Sequence, residues 1–517
     1  MQQTGRIANT SKNLIYGLLS QIITLILSFV GRIIFIKFLG ETYLGVNGLF
    51  TNILSILSLA EMGFGTAITY ALYKPLAEND NKKTKAFMDF FATTYKRIGF
   101  LVAIIGLAIL PFLKLLIKDS VGIQNLYLIY LLFLADSVVS YFFAYKRSLL
   151  NADQKAYICS KYRFIFVFFR DLFQAVLIIF FKRFIIYLLI KILFTFLENL
   201  YISKVTNKIY PFLKDGTKYK INDQEKKSLK KDVGALMLSK IASVALHSTD
   251  NIIISSFVSI KSVGILSNYT LISGSLTMFL SQVSSAIIGS LGNFIASEKQ
   301  DKHIEIFRKI DFMYYLMYGF CFVCMFTLYN PFISVFFGKQ FVFKDAVVLV
   351  FCLNYLIEGF LQSFWNFRTT MGLFVQGKYR PLFAAIINIV FSLFLVQKIG
   401  VLGVLLGTTF SRVCVNLWYD PFIIFKHGLK RKPIKYFLML LYKFASLMLI
   451  VVVLSAIKHF FFATEYTILS FVLLLIITVT IALAGIVLPL IKTNEFKYFL
   501  NLSNSFLKKI FKFTLKK

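Results

Sequence analysis

Residues 14–36 read LIYGLLSQIITLILSFVGRIIFI, an apolar run interrupted only by small and polar residues and one charge. One helical crossing of a bilayer needs roughly 20 such residues. The polar residues Gln21, Thr24, Ser28 and Arg32 follow one another at steps of three or four, so they share one face of a helix. A charged side chain at membrane depth costs several kcal/mol unless it faces a protein-lined polar interior. The run therefore predicts a membrane helix with one face on a polar cavity.

The remainder of the 517-residue chain repeats this pattern. The chain has 58% hydrophobic residues, 59 Phe and a mean hydropathy of +0.74, more apolar surface than a soluble domain can bury. The composition predicts an all-α polytopic membrane protein with about fourteen transmembrane helices. The predicted spans are 14–36, 44–72, 98–117, 125–145, 164–181, 184–203, 234–258, 264–294, 311–329, 346–367, 382–397, 401–425, 437–457 and 467–491.

The basic residues predict the orientation of the chain. Lys and Arg number 57 against 24 Asp and Glu, and most of them lie in alternate loops between the predicted spans. The positive-inside rule then places both termini in the cytoplasm and the protein in the bacterial cytoplasmic membrane. Topology and attraction to anionic lipid headgroups account for the positive charge, so nucleic acid is not an expected partner.

The longest hydrophilic segment, 204–232, divides the first twelve predicted helices into two sets of six. A shift of 219 positions pairs Gly45 with Gly264 and Phe38 with Phe257, a weak match that would correspond to a parallel internal repeat. The predicted parts are an N-terminal six-helix lobe (1–203), a basic cytoplasmic linker (204–232), a C-terminal six-helix lobe (233–426), helices 13 and 14 (427–491) and a basic amphipathic cytoplasmic tail (492–517).

Further polar stripes at helical spacing predict the lining of the cavity. A guanidinium never deprotonates and presents a planar fork to an anion. Carboxylates at membrane depth can exchange protons, bind Na⁺ or balance cations. The candidate anion ligands are Arg32, Arg170, Arg412 and Lys240; the candidate polar cavity residues are Gln21, Ser28, Asn354, Asn416 and Tyr419; and the candidates for ion coupling or charge balance are Glu61, Asp136, Asp250 and Glu358.

Each of these residues has an alternative role in packing, through interhelical hydrogen bonds or buried ion pairs. Arg170 and Asp171 are consecutive, about 100° apart on a helix, so we expect them to have different partners. Lys191 and Lys443 lie near predicted membrane boundaries and are expected to extend to the interface. The sequence contains no nucleotide-binding, metal or nucleophile motif, so neither a cofactor, a metal nor an enzymatic activity is expected.

Four segments carry a resemblance to a known family. They are FLGETYLGVNGLFTNILSILSLAEMGFGTAITYALYKPLAENDNKK (38–83), KRIGF (96–100), STDNIIISSFVS (248–259) and VGILSNYTLI (263–272). The chain resembles the Gram-positive branch of the polysaccharide flippase family, within the multidrug, oligosaccharidyl-lipid and polysaccharide exporter superfamily. The resemblance implies two six-helix lobes in a V shape and a substrate of undecaprenyl pyrophosphate bearing a capsule or exopolysaccharide repeat unit.

The resemblance also implies roles for particular parts of the chain. Related lipid-linked precursor flippases have cavity arginines for pyrophosphate, and Arg32 is similar in kind to their helix 1 arginine. In those relatives, helices 13 and 14 form a groove for the lipid tail. The first lobe here has fewer arginines than some relatives. The expected partners are the lipid-linked oligosaccharide, the bilayer, H⁺ or Na⁺, and the polysaccharide polymerase machinery.

These observations favour a flippase that works by alternating access with ion-gradient coupling. A multidrug or cation antiporter of the same superfamily is the first alternative, although its cavity would be dominated by carboxylates, whereas the charges here are mixed. A membrane-embedded glycan polymerase or ligase is the second alternative. Such proteins generally carry a long external loop, and the predicted external loops here are short.

Overall fold

A computed structural model describes residues 2–61, 64–117, 123–153, 155–217, 219, 221–225, 227, 248–373, 377, 379–462 and 466–501, without the side chains of residues 2–22 and several later positions. These residues contain helices and no strand. Eleven of the described helices are long and apolar enough to cross a membrane, and a bent helix pair makes a twelfth. The predicted class, an all-α polytopic membrane protein, is confirmed. Most of the predicted seventh span, 234–258, lies outside the described residues.

The helices fall into two compact units, Met1–Ser267 and Asn268–Lys517. The first unit contains α1 (Gln2–Leu57), α2 (Phe64–Ala77), α3 (Asn81–Ile109), α4 (Leu126–Tyr141), α5 (Ala144–Ala152), α6 (Ala156–Phe181), α7 (Phe184–Ile209), α8 (248–257) and the start of α9 (Ile260–Ser297). The second contains the rest of α9, α10 (Gln300–Phe336), α11 (Asp345–Thr370), α12 (Arg380–Ile399), α13 (Val401–Gly428), α14 (Ile434–Phe461), α15 (Ile468–Val487) and α16 (494–501). The predicted division into lobes, linker and tail stays a prediction.

The first two predicted spans differ in detail from the structure. Helix α1 continues from the first into the second through a kink at Gly40, whose φ of 82° is a backbone conformation that glycine adopts readily. The second predicted span, 44–72, is then interrupted, because α1 ends at Leu57 and a 3₁₀ turn, Ser58–Glu61, follows. Before this break the Ser55 and Ser58 hydroxyls donate to backbone carbonyls of the preceding turn, at 2.9 and 2.6 Å. Such bonds compete with the regular helical ladder and bend helices.

A close helix crossing inside the first unit depends on two glycines. A Cβ at Gly45 would collide with the backbone carbonyl of Ile260, and a Cβ at Gly264 would lie 2.5 Å from the backbone carbonyl oxygen of Glu41. The two contacts are equivalent under a shift of 219 positions, which relates Gly45 to Gly264 and Glu41 to Ile260.

Helix α13 contains two π-helical turns, Arg412–Asn416 and Ile424–Gly428. A π turn adds one residue to the helical repeat and shifts the direction of the side chains that follow it, and such turns are frequent at functional sites. The first of them begins at Arg412, one of the candidate anion ligands. The chain also stays helical beyond the predicted end of the sixth span, since α7 ends at Ile209.

Candidate functional site

Arg32 lies on α1, and its Nη1 donates to Ser267 Oγ at 2.7 Å. Ser267 lies in α9, close to the glycine crossing, and its hydroxyl donates in turn to the Gly264 carbonyl at 2.7 Å. The Arg32 side chain is partly buried. The crossing of α1 and α9 therefore positions the guanidinium, which sequence spacing alone could not indicate.

Two ion pairs occupy the neighbouring helices of the first unit. Lys191 on α7 lies 3.1 Å from Asp136 on α4, so this lysine pairs within the protein. Arg170 and Asp171 on α6 bind each other, with Nη2 and Oδ1 2.7 Å apart and Nε and Oδ1 2.9 Å apart. The expectation that these two residues have different partners is wrong, because a long guanidinium can fold back over the 100° that separates adjacent helical residues.

Tyr187 on α7 brings these groups into one site. Its hydroxyl lies within electrostatic range of Arg32, Asp136, Arg170 and Asp171, and Gln174 donates to its backbone carbonyl at 2.9 Å. We call the set Arg32, Asp136, Arg170, Asp171, Tyr187 and Lys191 the Tyr187 cluster. The cluster contains three basic side chains, those of Arg32, Arg170 and Lys191, and two carboxylates, those of Asp136 and Asp171. Its own formal charge is therefore +1. One oxygen of Asp136, Oδ1, is buried and accepts no hydrogen bond from any described residue.

The first unit also contains the other candidates of the N-terminal half. Glu61 lies at the break after α1 and accepts a hydrogen bond from the Tyr95 hydroxyl at 2.9 Å. Ser28 and Asp250 are partly buried. The side chain of Gln21 and the whole of Lys240 lie outside the described part of the chain, so their predicted roles stay predictions.

In the second unit Arg412 on α13 meets two residues of α11. Its Nη1 donates to the Asn354 backbone carbonyl, and its Nη2 lies 3.1 Å from Glu358 Oε2. Asn354 donates to the Leu405 carbonyl at 2.9 Å and accepts from the Thr409 hydroxyl at 3.2 Å. We call Asn354, Glu358, Thr409 and Arg412 the Arg412 cluster. Glu358 therefore balances the charge of Arg412. Charge balance and ion coupling were the two roles that the sequence left open for this carboxylate.

Two further candidates lie beyond Arg412 on α13. Asn416 is buried, and its Oδ1 accepts no hydrogen bond within the described chain. Tyr419 is partly buried. Asn416 is the last residue of the π turn that starts at Arg412 and Tyr419 follows that turn, so the turn shifts the face on which Tyr419 emerges.

The expectation for Lys443 is wrong. Its side chain on α14 is only 9% exposed and lies 2.5 Å from Asp311 on α10, which is 4% exposed. Asp311 also accepts from the Ser363 hydroxyl at 3.1 Å. An ammonium group with a buried partner has no need to extend to the interface. Asp311 itself was missed because it begins a predicted span and resembles a boundary residue.

A second carboxylate that the sequence analysis missed is Asp420 on α13. It is 2% exposed and binds the Arg380 guanidinium, with Arg368 3.8 Å away and the Trp365 indole N–H at 3.3 Å. Asp420 lies eight residues after Arg412, which is about two helical turns, so the same spacing rule could have found it. Its cluster contains two arginines and one carboxylate.

These clusters can bind anions or exchange ions, and they contain no arrangement suited to covalent chemistry. Among the described residues no group of three or more His, Cys, Asp or Glu could hold a metal ion. What distinguishes the site is the presence of several charged and partly buried residues on membrane-spanning helices. Charges at this depth are costly unless they face partners or a polar interior.

The fold has solved counterparts, although no protein-family model and no curated protein sequence matches the chain. The lipid II flippase MurJ in an inward closed conformation is 15% identical and superposes with a TM-score of 0.66, over 93% of this chain and 100% of that one. An inward-facing multidrug resistance MATE transporter of the MOP superfamily is 13% identical, with a TM-score of 0.60, over 78% and 96%. A point mutant of the Vibrio cholerae MATE transporter VcmN is 10% identical, with a TM-score of 0.57, over 82% and 99%.

At these identities the comparison concerns the fold, and the sequences have diverged too far to align individual functional residues. The flippase and the multidrug transporters are all proteins that move molecules across membranes. This chain has the transporter fold that MurJ and the MATE proteins share.

Proposed function

We propose that this protein is a flippase that moves undecaprenyl-pyrophosphate-linked oligosaccharide repeat units across the cytoplasmic membrane for capsule or exopolysaccharide synthesis. It would work by alternating access, coupled to an ion gradient. The membership in the superfamily of MOP transporters and the substrate are both part of this proposal. The fold and the charge of the Tyr187 cluster support it.

The observation that carries the proposal is that two guanidinium groups, those of Arg32 and Arg170, lie within electrostatic range of the same tyrosine. The two carboxylates of the Tyr187 cluster are engaged by Lys191 and Arg170, at 3.1 and 2.7 Å, while Arg32, held by the Ser267 hydroxyl, brings a second guanidinium to the same tyrosine. A substrate with an anionic head would find two guanidinium groups beside one another there. Arginine suits pyrophosphate in particular, because its planar fork binds two phosphate oxygens at once.

The substrate explains why such a site belongs in a membrane. Pyrophosphate and sugar hydroxyls cannot cross hydrocarbon without polar partners, since each unsatisfied group costs several kcal/mol. The polyprenyl tail can remain in lipid. A charged and polar interior for the head, with an apolar exterior for the tail, serves both parts of the molecule.

The extent of the fold similarity also supports a flippase over a multidrug transporter. The MurJ structure matches 93% of this chain, whereas the two MATE structures match 78% and 82%. The flippase fold therefore accounts for more of the helices of this chain.

The test is flipping of a polyprenyl-pyrophosphate-linked oligosaccharide by purified protein in proteoliposomes. Arg32→Gln should lower the flipping rate on the order of 10- to 100-fold, because a hydrogen bond to a charged group contributes about 1.5–3 kcal/mol. Arg32→Lys should retain part of the rate, since it keeps the charge and loses the fork. The matched control is Arg431→Gln, which breaks the exposed pair with Asp301 and should leave flipping unchanged.

Arg412 needs a different design because it has a carboxylate partner. Arg412→Gln alone leaves Glu358 unbalanced, so we pair it with Glu358→Gln to remove both charges together. If the pair serves packing only, the neutral double variant should flip substrate normally. If Arg412 binds phosphate, the double variant should be as slow as Arg412→Gln. Wild-type rates from well-expressed Arg32→Gln and from the Arg412 double variant would overturn the phosphate assignment.

The same vesicles test the coupling and the competing function. With Glu61, Asp136, Asp250 and Glu358 as candidate proton or Na⁺ sites, an imposed pH, Na⁺ or voltage gradient should change the flipping rate. Rates that ignore all three gradients would remove ion coupling from the proposal. Uptake of a cationic dye without any flipping would instead identify a cation antiporter.

A further inference from the structure

A cavity of about 450 Å³ lies in the first unit, where α4 and α5 meet at a 43° bend. Residues of α3, α4, α5, α7 and the bend itself line it: Lys96, Val139, Phe142, Phe143, Tyr145, Lys146, Phe196 and Ser203. None of these residues belongs to the Tyr187 cluster. The volume is within the range of small-molecule sites, about 300–1,000 Å³.

The positive charges of this cavity lack carboxylate partners among the described residues. Lys146 is partly buried and donates to Ser203 Oγ at 2.6 Å and to Asn207 Oδ1 at 3.0 Å, both neutral acceptors. The adjacent Arg147, by contrast, pairs with Glu198 at 2.7 Å. Lys96 is exposed at the wall of the same cavity. An unbalanced ammonium in a partly dry site favours an anion as its ligand.

The other walls are apolar and aromatic. The Phe143 ring packs edge-on against Phe196 at 6.1 Å, and Phe142 packs edge-on against Phe100 at 6.0 Å. Phe196 and Phe100 are 40% and 61% exposed on membrane-spanning helices. A ligand that fits must therefore carry hydrocarbon next to its charge.

We propose that this cavity binds an anionic glycerophospholipid of the bilayer, with Lys96 and Lys146 at the headgroup phosphate and the phenylalanines at the first part of an acyl chain. The bend makes this possible, because it ends α4 and opens a notch between α3 and α7. Lys146 also lies in a basic stretch that the positive-inside rule assigns to the cytoplasmic leaflet, where anionic lipids attract Lys and Arg. The site is distinct from the flippase substrate site and does not depend on that assignment.

The experiment is native mass spectrometry of the full-length protein in detergent, titrated with phosphatidylglycerol or with phosphatidylcholine of the same chains. Wild-type protein should bind one phosphatidylglycerol more tightly than phosphatidylcholine. Lys146→Met should weaken that binding on the order of tenfold, as expected for one charge-assisted hydrogen bond. Lys96→Met tests the site independently, since Lys96 is exposed and its loss should leave the fold intact. The matched control is Lys398→Met in the second unit, a lysine 4.5 Å from the exposed Phe394 ring, which should bind as wild type does.

A crosslinking arm identifies the ligand in its native membrane. A photoreactive phenylalanine analogue at Phe196 should capture a glycerophospholipid in cells, and capture should fall in the Lys96→Met background. Capture of a polyprenyl phosphate instead would overturn the proposal by making the cavity a carrier-lipid site. The proposal would also be overturned by equal affinity for the two phospholipids, or by unchanged phosphatidylglycerol binding in both lysine variants. Competition by inorganic phosphate at equal concentration would overturn it as well, because it would show that the site recognises no acyl chain.

Discussion

Among single residues, Lys443 and Asp311 form the most deeply buried of the lysine ion pairs described in the second unit. The ammonium also lies 5.1 Å from the centre of the Tyr315 ring, so the ring face adds to its stabilisation. Burial removes water from both charges, and the pair is then tolerated only because each partner compensates the other. Its integrity should therefore matter more for stability than that of any exposed pair.

Lys443→Met should reduce the free energy of unfolding by about 3–5 kcal/mol, because it leaves the Asp311 carboxylate buried with only the Ser363 hydroxyl as a donor. The measurement is thermal unfolding in detergent. Adding Asp311→Leu to Lys443→Met should restore most of the lost stability, since both charges are then gone. Lys302→Met, on the same helix as Asp311, breaks a pair with Glu298 whose side chains are 59% and 36% exposed, and should change stability by less than about 1 kcal/mol. An unaltered midpoint for Lys443→Met would contradict this role.

At the scale of elements, the crossing of α1 and α9 is the contact that positions Arg32. The Lys261 ammonium lies 2.9 Å from the Glu41 carboxylate at one side of the crossing, and Arg32 reaches Ser267 on the same helix. Both contacts require the two backbones to approach closely, which the absence of a Cβ at Gly45 and Gly264 permits. Small residues are the usual means of close helix approach in membranes.

Gly45→Ala should destabilise the protein by about 1–3 kcal/mol, as expected when an extra carbon is forced into a packed interface. The cause would be collision with the Ile260 backbone, which cannot move aside as a flexible side chain can. Gly31→Ala on the same helix is the control, because a Cβ there meets nothing within 4 Å. That substitution should be neutral or stabilise the helix by up to about 1 kcal/mol. Melting curves of the two variants in detergent distinguish the outcomes, and equal midpoints would show that the crossing can relax.

At the scale of the whole molecule, the distribution of basic residues predicts the orientation in the membrane. Exposed Thr217 follows the turn after α7, within the lysine-rich segment assigned to the cytoplasm. Exposed Lys182 lies in the short turn between α6 and α7, which is assigned to the outside. The two positions should therefore lie on opposite faces of the bilayer.

In a cysteine-free variant, Lys182→Cys should react with a membrane-impermeant maleimide in intact cells. Thr217→Cys should react only after the cells are opened. Reporter fusions after Lys517 should give a cytoplasmic signal, in agreement with Thr217. Labelling of Thr217→Cys from the outside would reverse the orientation and with it the direction of transport.

Composition and periodicity were sufficient for the class of the protein, whereas the roles of the candidate site residues stay predictions. Arg32, Arg170, Arg412, Asp136 and Glu358 were singled out because a charge within an apolar run is unusual enough to stand out. The contacts of these residues were less predictable. Arg170 and Asp171 bind each other, and Lys443 binds Asp311, since a long side chain can reach in several directions and spacing records only where it starts.

The amino-acid pattern alone established that this chain is a helical membrane protein with charges at membrane depth, because the cost of exposing polar groups to hydrocarbon leaves few alternatives. Tertiary packing was needed for everything that depends on which helices meet. It joins Arg32 to Ser267 across 235 residues and brings together the Tyr187 cluster from α1, α4, α6 and α7. It also forms the cavity lined by Lys96 and Lys146 at the α4–α5 bend. Such contacts are set by the shape of the packed helices, which no local stretch of sequence contains.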